Sequence, residues 1–322
     1  MARVFIDGQA GTTGLQIHQR LKGRRDIELL SIPEENRKDP ACRARLLRDA
    51  DVAILCLPDE AAKEAVALAD GHCRMLDAST AHRVSDDWAY GLPELSVEQR
   101  SVIAAADKVS NPGCYPQGFI LMVRPLIESG LLSAEQPLTM HALTGYSGGG
   151  RQMIDAYQAF SAGQAENWNT RAYGLELRHK HVPEMQYYSG TREAPIFTPS
   201  VGRFRQGMLL QIPLFSSQLL PTEVRSGQPT RVDVEDQLRI RYAKEPFISV
   251  TALEEVTACD GGYLSATSLN DTNRLEIMVF GNDSQMVLTA RYDNLGKGAA
   301  GAAVQNLNLM IGAEEGTGLT DD

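Results

Sequence analysis

The chain has 322 residues, 43% of them hydrophobic and 22% charged, with 31 Lys+Arg against 41 Asp+Glu for a net charge of -10. That length supports a sizeable core and two domains. The acidic balance argues against a nucleic-acid partner, because phosphate backbones need a basic surface. No apolar run approaches the ~18 residues of a membrane helix. The five cysteines, Cys42, Cys56, Cys73, Cys114 and Cys259, are scattered and form no CxxC pair, so neither a disulfide framework nor a metal site is expected. The sequence runs from Met1 straight into a strand, so no secretory leader and a cytoplasmic location are expected.

Residues 3–7 (RVFID) form the first expected strand, followed by a turn with Gly8, Gly11, Thr12, Thr13 and Gly14 and a helix over 15–21. Strand, glycine turn and helix are the setting of a dinucleotide fingerprint. The spacing is GxxGxxG rather than GxGxxG, so the context carries the reading. A second strand over 27–32 ends at Ser31, with Arg37 and Lys38 soon after. A hydroxyl and two cations suit a 2′-phosphate, hence NADP(H); Glu34 and Glu35 in the same loop argue the other way. Residues 51–57 (DVAILCL) read as a buried parallel strand closed by Pro58, then a helix over 59–69 and a strand over 74–77. This alternation predicts a doubly wound α/β domain.

The next signal is Ser110-Asn111-Pro112-Gly113-Cys114-Tyr115-Pro116. A Pro-Gly turn holds Cys114 on a rigid corner, and a helix starting there would favour its thiolate. The alternative is a small buried hydrophobe. Residues 144–151 (TGYSGGGR) form a second glycine loop, with Ser147, Gly148, Gly149 and Arg151, before a helix over 152–160. Such a loop suits a phosphate or carboxylate. His179 and His181 are two apart, would share one face of an extended segment, and offer an acid–base group that Glu184 can orient. Asn294 opens a small-residue stretch that becomes helical through residue 310 and can pack on a flat partner, either a sheet or a nicotinamide. The acidic residues 314–322 read as a frayed tail.

These motifs together resemble the N-acetyl-γ-glutamyl-phosphate reductases of the semialdehyde dehydrogenase superfamily, in their shorter subgroup. The resemblance runs along nearly the whole chain and rests on residues 8–14, 111–115, 145–151, 179–184 and 294–306. It implies a Rossmann-type NADP-binding lobe (1–113 with 295–322). It also implies an α+β catalytic and dimerisation lobe with a mixed sheet (114–294), assembled as a homodimer or homotetramer. It puts the nucleophile on Cys114 and acid–base work on His181 or His179, with His181 preferred. Cofactor contacts fall to the first glycine turn, Ser31, Arg37, Lys38, Pro58 and Asn294. Arg83 and Arg151, with Ser147, Gly148 and Gly149, are the expected substrate contacts. The implied reaction turns an acyl phosphate into a semialdehyde and inorganic phosphate through a cysteine thioester. Gln117 departs from the small hydroxylated residue usual after Cys-Tyr-Pro. The alternatives are aspartate-semialdehyde dehydrogenase and a catalytically silent NADP-binding regulator.

Overall fold

The computed structural model describes residues 1–159, 168–221, 227–252 and 261–319; Cys259 and residue 160 lie outside them. The chain divides into two compact units, Met1–Gly113 with Gly298–Asp322, and Cys114–Lys297.

The first unit is built on β1 (Ala2–Asp7), β2 (Ile27–Leu30), β3 (Val52–Leu55), β4 (Arg74–Asp77), β5 (Ala89–Tyr90) and β6 (Lys108–Ser110), in the order β2-β1-β3-β4-β6-β5. Every pairing is parallel. Around the sheet lie α1 (Thr12–Leu21), α2 (Pro40–Asp49), α3 (Asp59–Ala69), α4 (Gln99–Ala105) and α9 (Gly301–Ile311). All four residues of β3 are buried, as helix-covered parallel strands require. The helix α3 buries Ala62, Ala65 and Ala69 along one stripe. Both β2 and β3 are shorter than their apolar runs: Ile32 is buried without being in a strand, because burial and strand pairing are separate demands. α1 begins at Thr12, three residues before its first long apolar side chain, with Gly11 as its N-cap.

The tail is not frayed over its described part. The Glu315 carboxylate accepts from Arg100 (2.8 Å) and Gln305 (2.7 Å), and the Thr317 carbonyl accepts from Arg24 (3.1 Å) and Asn308 (2.9 Å). Acidic composition suggested a solvated end, but half-buried arginines and buried amides hold it.

The second unit carries a mixed sheet in the order β11-β12-β13-β10-β7-β9-β8. Its strands are β7 (Thr139–Gly145), β8 (Thr170–Ala172), β9 (Ile196–Gly202), β10 (Met208–Phe215), β11 (Ile248–Val250), β12 (Leu275–Gly281) and β13 (Gln285–Tyr292). The pairs β7/β9 and β11/β12 are parallel and the others antiparallel. Its helices are α5 (Cys114–Glu128), α6 (Gly150–Gln158), α7 (Val182–Ser189) and α8 (Arg231–Tyr242). α5 is apolar on nearly every side and buried from Tyr115 to Val123, the mark of a central helix. It packs against α7, α8, β10 and β13, and Tyr242 of α8 donates to the Leu121 carbonyl at 2.7 Å. Among the described residues, no helix is long and apolar enough to cross a membrane.

Candidate active site

Strand order reverses between β1 and β3, and the crevice at their carboxyl ends is where such sheets take a ligand. A cavity of about 480 Å³ opens there, lined by Gly8, Gly11, Cys56, Pro58, Arg37 and Lys38 among others. Gly8 has φ +88°, and a Cβ on it would fall 2.3 Å from the Cys56 carbonyl oxygen. A Cβ on Gly14 would fall 2.6 Å from the Gly8 carbonyl oxygen, so both positions demand glycine. No side chain caps α1, and its first turn holds no acid. Its leading N–H groups, from Thr12 onward, are therefore suited to a pyrophosphate.

Two features of the cavity were invisible in the sequence. The Arg43 guanidinium grips the Asp7 carboxylate through Nε (3.0 Å) and Nη2 (2.8 Å), both residues being buried. Arg37 pairs with Glu34 at 2.5 Å, so the loop's acids and cations partly answer one another. Ser31 is exposed and outside the lining.

At the end of β4, Asp77 accepts from Ser79 Oγ (2.6 Å) and lies 2.7 Å from His82 Nδ1. The His82 ring stacks on Trp88 at 4.2 Å. Arg83 is buried beside them and donates to the Ala78 carbonyl at 3.0 Å. Asn111, which opens the cysteine turn, is pinned on three sides. Its N–H donates to the Asp77 carbonyl (2.7 Å), its Nδ2 to the Ala299 carbonyl (3.1 Å), and its Oδ1 accepts from Asn306 (3.1 Å). The small-residue stretch is buried at Ala300, Ala302 and Ala303, and a Cβ on the facing Gly91 would lie 2.5 Å from Asn306 Nδ2.

In the second unit Cys114 is the first residue of α5 and half-buried. The first turn holds no acid, so the helix dipole favours a thiolate there. Around the adjoining Tyr115 stands an aromatic group. The His179 and His181 rings both lie 5.7 Å from the Tyr115 ring, and Phe197 lies 4.9 Å from it. The Tyr115 and Tyr173 hydroxyls meet at 2.7 Å. Burial pushes the Tyr173 phenol up to about 12 and Tyr115 well above its usual value, so both stay protonated.

The histidines do not share the face of an extended segment. His181 is the N-cap of α7 with helical backbone angles, and its N–H donates to His179 Nδ1 at 3.2 Å. A turn rather than a strand brings the rings to 4.8 Å; the following Val-Pro starts a helix, which the two-residue spacing alone did not reveal. Burial, aided by the Lys180 charge, pulls His179 down to about 4. It is therefore neutral near pH 7 with Nδ1 as acceptor. His181 is 7% exposed, and Glu184 is buried in the first turn of α7.

The second glycine loop is more tied down than its composition suggests. It forms a 3-10 turn (Tyr146–Gly149) before α6. The N–H groups of Gly145, Tyr146 and Ser147 donate to the carbonyls of Gly207, Phe204 and Arg205, each at 2.9 Å. Ser147 Oγ accepts from Asn294 Nδ2 at 2.9 Å, and Asn294 Oδ1 accepts from the Gly207 N–H at 2.8 Å. Asn294 therefore lies in the second unit and braces this loop. Gly148 and Gly149 are exposed. The Arg151 side chain is 80% exposed and faces Asp155 at 3.7 Å. Among the described residues, no group of three or more His, Cys, Asp or Glu side chains is placed to hold a metal ion.

Comparison with known proteins assigns this architecture. The profile described as the semialdehyde dehydrogenase NAD binding domain matches residues 9–103, and that of the semialdehyde dehydrogenase dimerisation domain matches residues 114–294. The chain belongs to the semialdehyde dehydrogenase family. Aspartate semialdehyde dehydrogenase II from Vibrio cholerae has the same fold, with a TM-score of 0.71 at 17% identity over 97% of this chain and 98% of that one. Nearer in sequence, the chain is 48% identical to N-acetyl-gamma-glutamyl-phosphate reductase 2 of Nostoc sp., over 98% of this chain and 99% of that protein. It is 49% identical to the N-acetyl-gamma-glutamyl-phosphate reductase of Brucella anthropi, over 96% and 98% respectively. Within the wider family it belongs to the N-acetyl-gamma-glutamyl-phosphate reductases.

Proposed function

We propose that the protein reduces N-acetyl-γ-glutamyl phosphate to N-acetyl-L-glutamate 5-semialdehyde, with NADPH as reductant and release of inorganic phosphate. The observation that carries the chemistry is a half-buried thiol at the first position of α5, with a histidine pair packed on the neighbouring residue.

The Cys114 thiolate attacks the acyl carbonyl, the carbon–oxygen bond to phosphate breaks, and inorganic phosphate leaves with the bonding pair. The product is a thioester, which accepts hydride far more readily than a carboxylate. A bound nicotinamide supplies that hydride. The tetrahedral oxyanion then collapses, the carbon–sulfur bond breaks, and Cys114 regains its thiolate as the aldehyde departs. N–H groups at the start of α5 suit the oxyanion.

Acid–base work falls to His181. His179 has its Nδ1 occupied by the His181 N–H and is held neutral. It is the positioning partner, fixing the backbone from which the His181 ring projects. Arg83 is the better placed of the two arginines for an anion: it is buried, whereas Arg151 is largely in solvent. In the first unit, Gly8, Gly11, Thr12, Thr13, Gly14 and Pro58 hold the dinucleotide. Arg37 and Lys38 line the same cavity, and they support a 2′-phosphate and hence NADPH over NADH. The match to a dimerisation domain supports assembly as a homodimer or a homotetramer.

The test is phosphate-dependent reduction of NADP+ with N-acetylglutamate semialdehyde and, in parallel, aspartate semialdehyde. Turnover of the former with NADP+ preferred over NAD+ is expected. Preference for the aspartyl substrate would overturn the substrate reading, and preference for NAD+ the cofactor reading.

A further inference from the structure

The first turn of α5 is held by a residue that neither composition nor motif singles out. Tyr292, the last residue of β13, is fully buried. Its hydroxyl donates to the carbonyl of Cys114 at 2.5 Å and accepts the N–H of Gly118 at 3.2 Å. Those two groups are an i, i+4 backbone pair at the start of the helix that Cys114 opens. One phenol oxygen therefore clasps both ends of the turn that carries the thiol.

The sequence of the helix fits that clasp. Glycine is a poor helix former beside alanine, yet position 118 is glycine. A Cβ there would lie 2.9 Å from Tyr292 Oη and 2.8 Å from Leu210 Cδ2, so glycine admits the phenol where a larger residue would push it aside. Pro116, two residues after Cys114, lies in the first turn, where an N–H has no partner within the helix, so it costs the helix no bond. The clasp has a stiff base. Tyr292 pairs with Met208 on one side and Leu275 on the other, within the seven-stranded sheet. Burial and the nearby Cys114 charge raise the phenol well above its usual value, so it remains protonated and keeps donating.

We propose that Tyr292 is a positioning residue for the nucleophile: its hydroxyl, admitted by Gly118, fixes the backbone of Cys114 and thereby the direction and the ionisation of the thiol. This rests on the reading of Cys114 as nucleophile, so the experiment separates the two. Cys114 alkylation by iodoacetamide is followed by peptide mass mapping across pH in the full chain, beside steady-state kinetics. Two variants are compared. Tyr292→Phe keeps the ring and removes the hydroxyl; Gly118→Ala keeps the hydroxyl and displaces it.

Both variants are expected to shift the midpoint of the alkylation–pH profile upward. Both should lower kcat about tenfold or more, as a misplacement on the order of 1 Å does, with KM for NADPH unchanged. A reactive Cys114 whose profile and kcat are within twofold of the parent in either soluble variant overturns the clasp alone. An equal loss of NADPH affinity and of thermal stability, with the profile unmoved, also overturns it, since that is merely structural damage. An inert Cys114 in the unmodified protein overturns the nucleophile reading, and the clasp with it.

Discussion

Two helix starts, one in each unit, put the same local geometry to different use. α1 follows a glycine turn and offers its backbone: Gly11 caps it with no side chain, and the first turn is free of acids. α5 follows a Pro-Gly turn and offers a side chain, the thiol of Cys114, again with no acid in the first turn. In both, the helix terminus favours negative charge. What differs is the support. The α1 start rests on close backbone contacts at Gly8 and Gly14. The α5 start is gripped by specific side chains, with Tyr292 on its carbonyl and Tyr115 amid the histidines. Binding a pyrophosphate asks only for N–H groups that point outward. Aiming a nucleophile asks for one atom in one place.

The comparison is tested most severely by Cys114→Ser. Turnover should fall by about three orders of magnitude or more, while fluorescence titration still finds the dinucleotide bound; substantial residual reduction would end the claim that the second helix start acts through its side chain. Gly8→Ala should do the converse. With φ at +88° and a backbone oxygen 2.3 Å from the new Cβ, strain of about 3 kcal/mol should weaken dinucleotide binding about 100-fold. Iodoacetamide should still label Cys114 at the parental rate. Joint replacement of Arg37 and Lys38 by Ala should reduce the preference for NADPH over NADH about tenfold, read from kcat/KM with each cofactor; an unchanged ratio would move the selectivity elsewhere, with Arg43 the next candidate.

The smallest effect belongs to His179. Its folded pKa of about 4 lies below its ordinary 6.5. Between those values the unfolded chain binds a proton that the folded chain refuses, so the contribution to stability is complete above pH 6.5 and is lost as pH falls toward 4. Urea denaturation at pH 7 and pH 4.5 should show a smaller acid-induced loss in His179→Asn, which keeps an acceptor for the His181 N–H. Equal losses in the two proteins would place the acid sensitivity on other groups.

Much of this was legible in order along the chain. The runs at 3–7, 51–57 and 74–77 read as strands, and 51–57 as a buried parallel one, because a continuous apolar run suits a sheet covered on both faces. The Pro-Gly-Cys motif read as a rigid corner, because proline fixes its own φ and glycine takes angles closed to other residues, and the structure starts a helix there. Where the structure differs, the cause is shared. The two-residue spacing of His179 and His181 fits one face of an extended segment, but a turn satisfies it equally well. In the second glycine loop, composition does not reveal that the leading N–H groups are spent on residues 204–207. The tail looked frayed because its acids could not be matched in advance to Arg100 and Gln305.

The sequence by itself determined the local turns, the alternation of strand and helix, and the setting of Cys114 on a Pro-Gly corner, since each depends on neighbours within a few residues. Only the tertiary structure decided that Arg43 closes on Asp7, that Asn306 secures Asn111, and that Tyr292 reaches a helix 178 positions away. Those pairings depend on sheet order and packing depth, which bring together groups whose separation along the chain carries no local signal.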